Sequence, residues 1–211
     1  MRILVIAGAG GHGQVVADVA AQTGMHEEIV FADNAYERGV SIGSWNVSFH
    51  DEDLSSLNPA TTQFILGLGQ VTTGVARRNL YKLIIEFGLT AATRVAPNAS
   101  FAKESTVGPG SLSGFMSTVN IGAAIGANVI VNTRAVIEHD AAIADHAHIS
   151  TGAIVNGGAT VGHHCLIGSG ATVLQGVSIC DDVIVGAGTV VTRDIDSPGT
   201  YVGAPARKIH D

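Results

Sequence analysis

Histidines in the second half of the chain are the side chains best suited to acid–base chemistry. Imidazole has a pKa near 6.5, so it can take up and return a proton at neutral pH. Five of the nine histidines stand close together: His139, His146, His148, His163 and His164. His139 is followed by Asp140, and a carboxylate beside an imidazole can hold one tautomer and stabilise the cation. The pair is therefore a candidate general base, although adjacent residues on a strand reach each other poorly and the partner of the ring stays open.

A glycine-rich loop near the N-terminus has the residue types that bind phosphate. Residues 8–13 read Gly-Ala-Gly-Gly-His-Gly, after an apolar run at 2–7 and before helical spacing at 14–22. A G-x-G-x-x-G phosphate loop requires this order, because glycines admit a phosphate and the helix N-terminus supplies N–H groups. Asp33 ends the next predicted strand and can accept hydrogen bonds from a ribose or a base. The predicted substrate contacts here are Gly8, Gly10, Gly11, His12 and Asp33.

Two alternatives stay open for this loop. No second mononucleotide-binding half follows it, so the loop predicts one bound nucleotide rather than NAD. The glycines could instead form only a tight strand-to-helix turn, with His12 capping that turn rather than contacting a ligand.

The histidines lie within a repeat of six residues that must position them. Fourteen of fifteen consecutive hexads begin with Val or Ile. The first residues of these hexads are Val107, Ser113, Val119, Ile125, Val131, Ile137, Ile143, Ile149, Val155, Val161, Ile167, Val173, Ile179, Val185 and Val191. A period of six fits neither a helix nor a simple strand and predicts a solenoid, with the branched residue inward and the following glycine allowing a corner. Three hexads make one triangular coil, so we expect five coils of a left-handed parallel β-helix, about 4.8 Å apart.

The chain is therefore predicted to contain two domains. Residues 1–95 are expected to form a truncated Rossmann-like α/β domain that binds a sugar nucleotide, and residues 96–211 the left-handed β-helix with a C-terminal cap. The solenoid leaves an exposed edge at its end, so the tail at 200–211 is expected to fold back as a cap or cross to a neighbour.

Composition excludes several classes of partner. The net charge is −7 and basic residues are not clustered, which argues against a nucleic-acid or anionic-membrane surface. The apolar run at 2–7 is too short for a membrane span, so we expect no membrane insertion and a cytoplasmic protein. Cys165 and Cys180 fall on different faces in the hexad register and are predicted to be free thiols.

Together these features resemble a known bacterial family. The glycine loop, Phe-Ala-Asp-Asn at 31–34, Asn-Thr-Arg-Ala-Val-Ile-Glu-His-Asp at 132–140 and Val-Gly-Ala-Pro-Ala-Arg at 202–207 are similar to the hexapeptide-repeat sugar acyltransferases. That family includes sialic acid O-acetyltransferases and the N-acetyltransferases of UDP-bacillosamine and GDP-perosamine synthesis. The resemblance extends over essentially the whole chain.

The resemblance implies an acetyl-CoA-dependent N-acetyltransferase acting on a nucleotide-linked amino sugar of the UDP-4-amino-sugar type. It implies a homotrimer with active sites between β-helices, no metal, His139 as catalytic base and Asp140 as its acidic neighbour. Asn132 is placed with the substrate contacts. The residues near acetyl-CoA would be His148, Gly157 and Ala187. Either His148 or a backbone N–H around Gly157 is expected to stabilise the oxyanion.

Three other functions remain as alternatives. A sialic acid O-acetyltransferase would share the fold and the base, because the sequence does not separate an amine from a hydroxyl acceptor. A zinc-dependent β-helix hydratase is less favoured, since the histidine spacing lacks the pair five residues apart that such zinc sites use. A non-catalytic nucleotide-binding scaffold is the third. Gln175 and Cys180 depart from the proline and glycine usual in the family at those turns.

Overall fold

The computed structural model describes residues 2–210 and forms two compact units. The first contains the chain up to Gly69 together with Val75–Pro97. The second contains Gln70–Gly74 and the chain from Asn98 onward. Among residues 2–210, no helix is both long and apolar enough to cross a membrane.

The first unit is built on a six-stranded sheet. Its elements are β1 (Ile3–Ala7), α1 (Gly11–Thr23), β2 (Glu28–Ala32), β3 (Ser41–Ile42), β4 (Trp45–Phe49), a 3-10 helix (Asp51–Ser56), β5 (Thr62–Leu66), α2 (Val75–Glu86), β6 (Thr90–Ala91) and β7 (Arg94–Val95). The strand order is β3-β4-β2-β1-β5-β6, and only β3 and β4 pair antiparallel. Val5 and Ile6 on the central strand are both fully buried, as expected for a parallel strand covered on two faces.

The second unit is the predicted β-helix. Its strands are β8 (Ser100–Phe101), β9 (Thr106–Val107), β10 (Leu112–Ser113), β11 (Thr118–Val119), β12 (Ala124–Ile125), β13 (Ile130–Val131), β14 (Val136–Ile137), β15 (Ala142–Ile143), β16 (His148–Ile149), β17 (Ile154–Val155), β18 (Thr160–Val161), β19 (Leu166–Ile167), β20 (Thr172–Val173), β21 (Ser178–Ile179), β22 (Val183–Val185), β23 (Val190–Val191), β24 (Gly199–Val202) and β25 (Arg207–His210). Every third strand stacks in register, so that Ile149 pairs with Ile167, eighteen positions later. The predicted coil of three hexads is confirmed.

The core of the β-helix comes from two positions of each hexad. Ile137 and Val155 at position one, and Ala135 and Ala153 at position five, are all fully buried. These side chains fill the prism, which leaves positions two, three and four to face outward.

The corners of the β-helix differ from the sequence prediction in one respect. Position four, not the glycine at position two, has the left-handed backbone conformation, with φ of 60° at Asp140 and 64° at His146. The glycine at position two instead permits close stacking, because a Cβ on Gly108 would lie 2.5 Å from the carbonyl carbon of Gly126.

The tail closes one sheet of the β-helix. β24 continues this sheet parallel to β22, and β25 then returns antiparallel to β24. The expected fold-back of the tail is therefore present over the described residues, and Asp211 lies outside them.

Candidate active site

His139 and Asp140 form a hydrogen-bonded pair on a corner of the β-helix. His139 stands two residues after the inward-facing Ile137, and half of its side chain is exposed. Its Nδ1 lies 2.9 Å from Asp140 Oδ2. Two adjacent residues on one strand, as the repeat predicts for this pair, would reach each other poorly. β14 ends at Ile137, however, and the left-handed turn at Asp140 brings the carboxylate to the ring.

This pairing defines which nitrogen of His139 is basic. A carboxylate only accepts hydrogen bonds, so Nδ1 of the ring carries the proton that Asp140 receives. The lone pair then lies on Nε2, the atom that faces away from Asp140. His139 is thus oriented as a general base through Nε2.

Gly157 lies directly beside that basic nitrogen, one coil further along. A Cβ on Gly157 would be 2.5 Å from His139 Nε2, so no side chain fits at this position without moving the ring. The carbonyl oxygen of Gly157 accepts from the N–H of Gly176 at 3.0 Å. Its own N–H donates no hydrogen bond within residues 2–210. An unused backbone donor therefore stands next to the base, where an oxyanion would need one.

His148 is held in one tautomer on a different face of the β-helix. It is only 6% exposed, and its Nδ1 donates to the Gln70 carbonyl oxygen at 3.1 Å. Its Nε2 accepts from Asn132 Nδ2 at 3.2 Å, and this orientation of the amide is fixed because Asn132 Oδ1 accepts the N–H of Thr133. Nε2 of His148 consequently has no proton to offer an oxyanion, which favours the Gly157 N–H for that role.

Asn132, which is predicted to contact the substrate, uses its amide oxygen and one hydrogen of its amide nitrogen in hydrogen bonds inside the chain. It orients His148 and fastens the turn that follows β13. Gln70, which covers the other side of the His148 ring, was not found from the sequence. Its segment lies 78 positions away and carries no pattern that links it to the β-helix.

Of the predicted coenzyme residues, Gly157 lies beside His139, whereas His148 and Ala187 lie elsewhere on the protomer. From His148 in β16 the chain turns, forms β17, turns at Gly157, forms β18, turns again and returns in β19 above β16. The corner of Gly157 and His139 is therefore opposite the face that carries His148. Ala187 is exposed on the corner between β22 and β23, which is also distinct from that of His139.

The glycine loop of the first unit contains glycines of two kinds. Gly8 has a φ of 108°, and a Cβ on Gly13 would collide with its carbonyl oxygen, so these two glycines are required by the turn itself. At Gly10 and Gly11 an added Cβ would meet nothing within 4 Å. Gly10 precedes α1, whose first turn has no acidic side chain. The tight-turn explanation thus accounts for the first pair and not for the second.

Asp33 ties this loop to the end of β2. Its Oδ2 accepts the N–H of Ala9 and its Oδ1 accepts the N–H of Ala35, each at 2.8 Å. Beside it, Asn34 and Asp51 are joined by two hydrogen bonds of 3.0 and 2.9 Å. A pocket of about 160 Å³ lies at this edge of the sheet and is lined by Gly8, Ala32, Asp33, Asn34, Asp51, Leu68 and Leu80.

Of this lining, Gly8 and Asp33 were predicted from the sequence, and Asp51, Leu68 and Leu80 were not. Leu68 could have been found, because it is the second residue after β5 and the carboxyl ends of parallel strands share one edge of the sheet. His12, the second residue of α1, has its pKa lowered to about 4 by burial and by the nearby Arg77. His12 is therefore neutral at pH 7.

Comparison with known proteins gives a consistent result. Residues 3–83 match the family described as the PglD N-terminal domain, and residues 158–193 match the hexapeptide repeat of succinyl-transferase. A search of curated proteins finds no match. The structure of the acetyltransferase domain of PglB from Neisseria gonorrhoeae is 32% identical with a TM-score of 0.94, over 99% of this chain and 100% of that one. The chain belongs to the hexapeptide-repeat sugar acyltransferase family.

Two further solved structures of this family carry ligands. The same PglB domain in complex with acetyl coenzyme A is 33% identical, with a TM-score of 0.93 over 99% of both chains. A histidine-to-asparagine variant of perosamine N-acetyltransferase from Caulobacter crescentus, in complex with CoA and GDP-perosamine, is 27% identical with a TM-score of 0.91. The alignment covers 100% of this chain and 98% of that one.

Membership of this family confirms the resemblance, the fold class and the assignment as an acetyltransferase that were inferred from the sequence. Within the described part of the chain, no group of three or more His, Cys, Asp or Glu side chains is arranged to hold a metal ion. Cys165 and Cys180 are free thiols.

Proposed function

We propose that this sugar acyltransferase is an N-acetyltransferase that moves the acetyl group of acetyl-CoA to the amine of a nucleotide-linked amino sugar of the UDP-4-amino-sugar type. The observation that carries the proposal is the spatial arrangement of Asp140, His139 and Gly157, which are neighbours on one corner of the β-helix. It places a carboxylate, a base with its lone pair on Nε2 and an unused backbone N–H side by side.

His139 acts as general base in this reaction. Its Nε2 takes a proton from the acceptor nitrogen as that nitrogen attacks the thioester carbonyl carbon, and Asp140 stabilises the resulting imidazolium. The N–H of Gly157 donates to the carbonyl oxygen as negative charge develops there. When the carbon–sulfur bond breaks, His139 returns the proton to sulfur and coenzyme A leaves as a thiol. General base catalysis of this kind contributes about 10²- to 10⁴-fold.

The first unit binds the nucleotide. Gly10 and Gly11 leave open space before α1, where backbone N–H groups and the helix dipole attract a phosphate. Asp33, Asn34 and Asp51 offer acceptors to the hydroxyl and N–H groups of a nucleoside at the adjoining pocket. Binding energy from the nucleotide then orients the sugar.

A complete active site requires more than one protomer. If His139 and His148 both act on one acetyl-CoA molecule, they belong to different protomers, because they lie on opposite sides of the same coil. We therefore propose a homotrimer in which the corner of His139 meets the face of His148 of a neighbour.

Thiol release from acetyl-CoA tests the proposal, with a panel of UDP-, GDP- and dTDP-linked amino sugars and with free sialic acid. We expect turnover with one nucleotide amino sugar and loss of at least about 10²-fold in kcat for His139→Ala. His163→Ala is the matched control, since it removes an exposed histidine from another corner and should leave kcat unchanged. A response to sialic acid alone would assign an O-acetyltransferase instead. Nucleotide binding without any thiol release would indicate a scaffold.

A further inference from the structure

Glu138 has no role in the mechanism described above, although it adjoins the base. It follows the inward-facing Ile137, so its side chain points out of the β-helix on the same turn as His139. Its Oε2 accepts a hydrogen bond of 3.0 Å from Asn120 Nδ2, one coil earlier. The amide of Asn120 is fixed in this orientation because its Oδ1 accepts the N–H of Ile121 at 2.8 Å.

The other oxygen of Glu138 is available for a ligand. Oε1 makes no hydrogen bond or ion pair within residues 2–210. On the coil above, Asn156 donates its amide N–H to the Val173 carbonyl oxygen at 2.7 Å and so does not compete for Glu138. A half-buried carboxylate with a single neutral partner favours a cation, because charges removed from water need compensation.

Glu138 forms no ion pair within residues 2–210, and the basic side chain on the same corner, the exposed Lys103, stands two coils away. The titratable groups on its own turn are His139 and Asp140. On the two adjacent coils the equivalent positions are the neutral amides of Asn120 and Asn156. The free oxygen is therefore directed to a positive group supplied from outside the chain.

We propose that Glu138 binds the ammonium form of the acceptor amine and thereby selects an amine over a hydroxyl. This inference rests on the proposed function and adds its acceptor specificity. An aliphatic amine is largely protonated at neutral pH and forms a charge-assisted hydrogen bond with a carboxylate, whereas a hydroxyl acceptor has no charge to offer.

The protons balance with two acceptors on one turn. The nitrogen of an ammonium loses two protons on acetylation, so one net proton is released. Glu138 takes the first and passes it to solvent, which leaves a neutral amine. His139 takes the second as the carbon–nitrogen bond forms, and gives it to sulfur as the carbon–sulfur bond breaks.

Steady-state kinetics of Glu138→Gln between pH 6 and pH 10 test this inference, with the amino-sugar nucleotide that the wild type uses. At low pH we expect KM for that nucleotide to rise roughly 10- to 100-fold. The increase should shrink above the pKa of the acceptor amine, where the substrate is neutral. KM for acetyl-CoA should not change. Glu104→Gln is the matched control, because it neutralises an exposed carboxylate on the same corner two coils away.

A second variant and an analogue keep the result unambiguous. Asn120→Ala frees the Glu138 carboxylate without removing its charge and should raise the same KM by a few-fold only. The hydroxyl analogue of the substrate should bind wild type and Glu138→Gln equally well. An unchanged KM, or an increase that is constant across pH, would overturn the role of Glu138 while leaving the acetyltransferase intact. Absence of transfer by the wild type would instead contradict the proposed function itself.

Discussion

Gly157 lies against the imidazole of His139, so close that a Cβ on this glycine would be 2.5 Å from Nε2. The three nearest atoms to that Cβ all belong to the His139 ring, and none to the backbone. The glycine therefore keeps open the space in front of the basic nitrogen.

Gly157→Ala should lower kcat by about 10²-fold or more, because the added methyl displaces the base and obstructs the oxyanion donor. Thermal stability should change little, since the flexible ring can move. In the control Gly162→Ala the new methyl meets backbone atoms of Cys180 and Asp181, so stability should fall while kcat per folded protein persists. If Gly157→Ala lost stability but kept its kcat, while Gly162→Ala lost kcat, Gly157 would have no part in catalysis.

Asp140→Asn should lower kcat by roughly 10- to 100-fold, because an amide does not stabilise the imidazolium of His139 and admits the wrong tautomer. Asparagine tolerates the left-handed conformation at this position, so the fold should be kept. Circular dichroism and steady-state kinetics check both statements. Activity equal to that of the wild type would show that the 2.9 Å contact has no part in catalysis.

Mixed oligomers test whether the site is shared between protomers. At limiting acetyl-CoA, His139→Ala, which removes the base, and His148→Ala, which removes a predicted acetyl-CoA contact, should each have little activity alone. After unfolding and refolding together at equal amounts, about one quarter of the interfaces should combine one intact His139 with one intact His148, and activity should return accordingly. If mixed oligomers form and activity stays absent, one protomer supplies both residues.

Asp33→Asn should weaken nucleotide binding, because one of its oxygens becomes an NH2 group facing a backbone N–H of Ala9 or Ala35. We expect KM for the sugar nucleotide to rise about 10-fold and kcat to persist at saturation. Calorimetric titration with the free nucleotide compares the dissociation constants of the wild type and Asp33→Asn in the absence of catalysis. Asp18→Asn, on the exposed side of α1, is the control.

His12 makes stability depend on pH. Its pKa is lowered from 6.5 to about 4 in the folded chain by burial first and by Arg77 second. Between these values the unfolded chain binds more protons, so the free energy of unfolding falls as pH decreases through this window. From pH 7 to pH 5 the loss from this group is at most about 2 kcal/mol. Urea unfolding should show a smaller loss for His12→Asn, and an equal loss in both proteins would refute the assignment.

The repeat of six residues was sufficient to predict the β-helix, because side-chain burial recurs at every Val or Ile position. It was also sufficient to predict that the His139 side chain projects outward, but it placed this residue on a strand and not on the corner where the structure has it. The sequence does not reveal how the corners are made, since Asp140 and His146 adopt a backbone conformation usually associated with glycine. Short elements such as β3 and β4 were missed because two to five residues carry too little periodicity.

Hydrogen bonds between residues that are far apart in the sequence could not be predicted either. The tautomer of His148 depends on Asn132 and on Gln70, which are 16 and 78 positions away. The two hydrogen bonds between Asn34 and Asp51 form only because β4 brings the chain back beside the end of β2. These pairings follow from packing and have no local signal.

The chemical identity of the product distinguishes transfer to an amine from transfer to a hydroxyl. Purified protein should be incubated with acetyl-CoA carrying ¹³C in its carbonyl group and with the nucleotide amino sugar that gives turnover, and the product examined by NMR. We expect a ¹³C carbonyl that correlates with an amide N–H proton of the sugar for the wild type and for His163→Ala, and none for His139→Ala. An ester product, or an amide formed equally by His139→Ala, would contradict the proposed function.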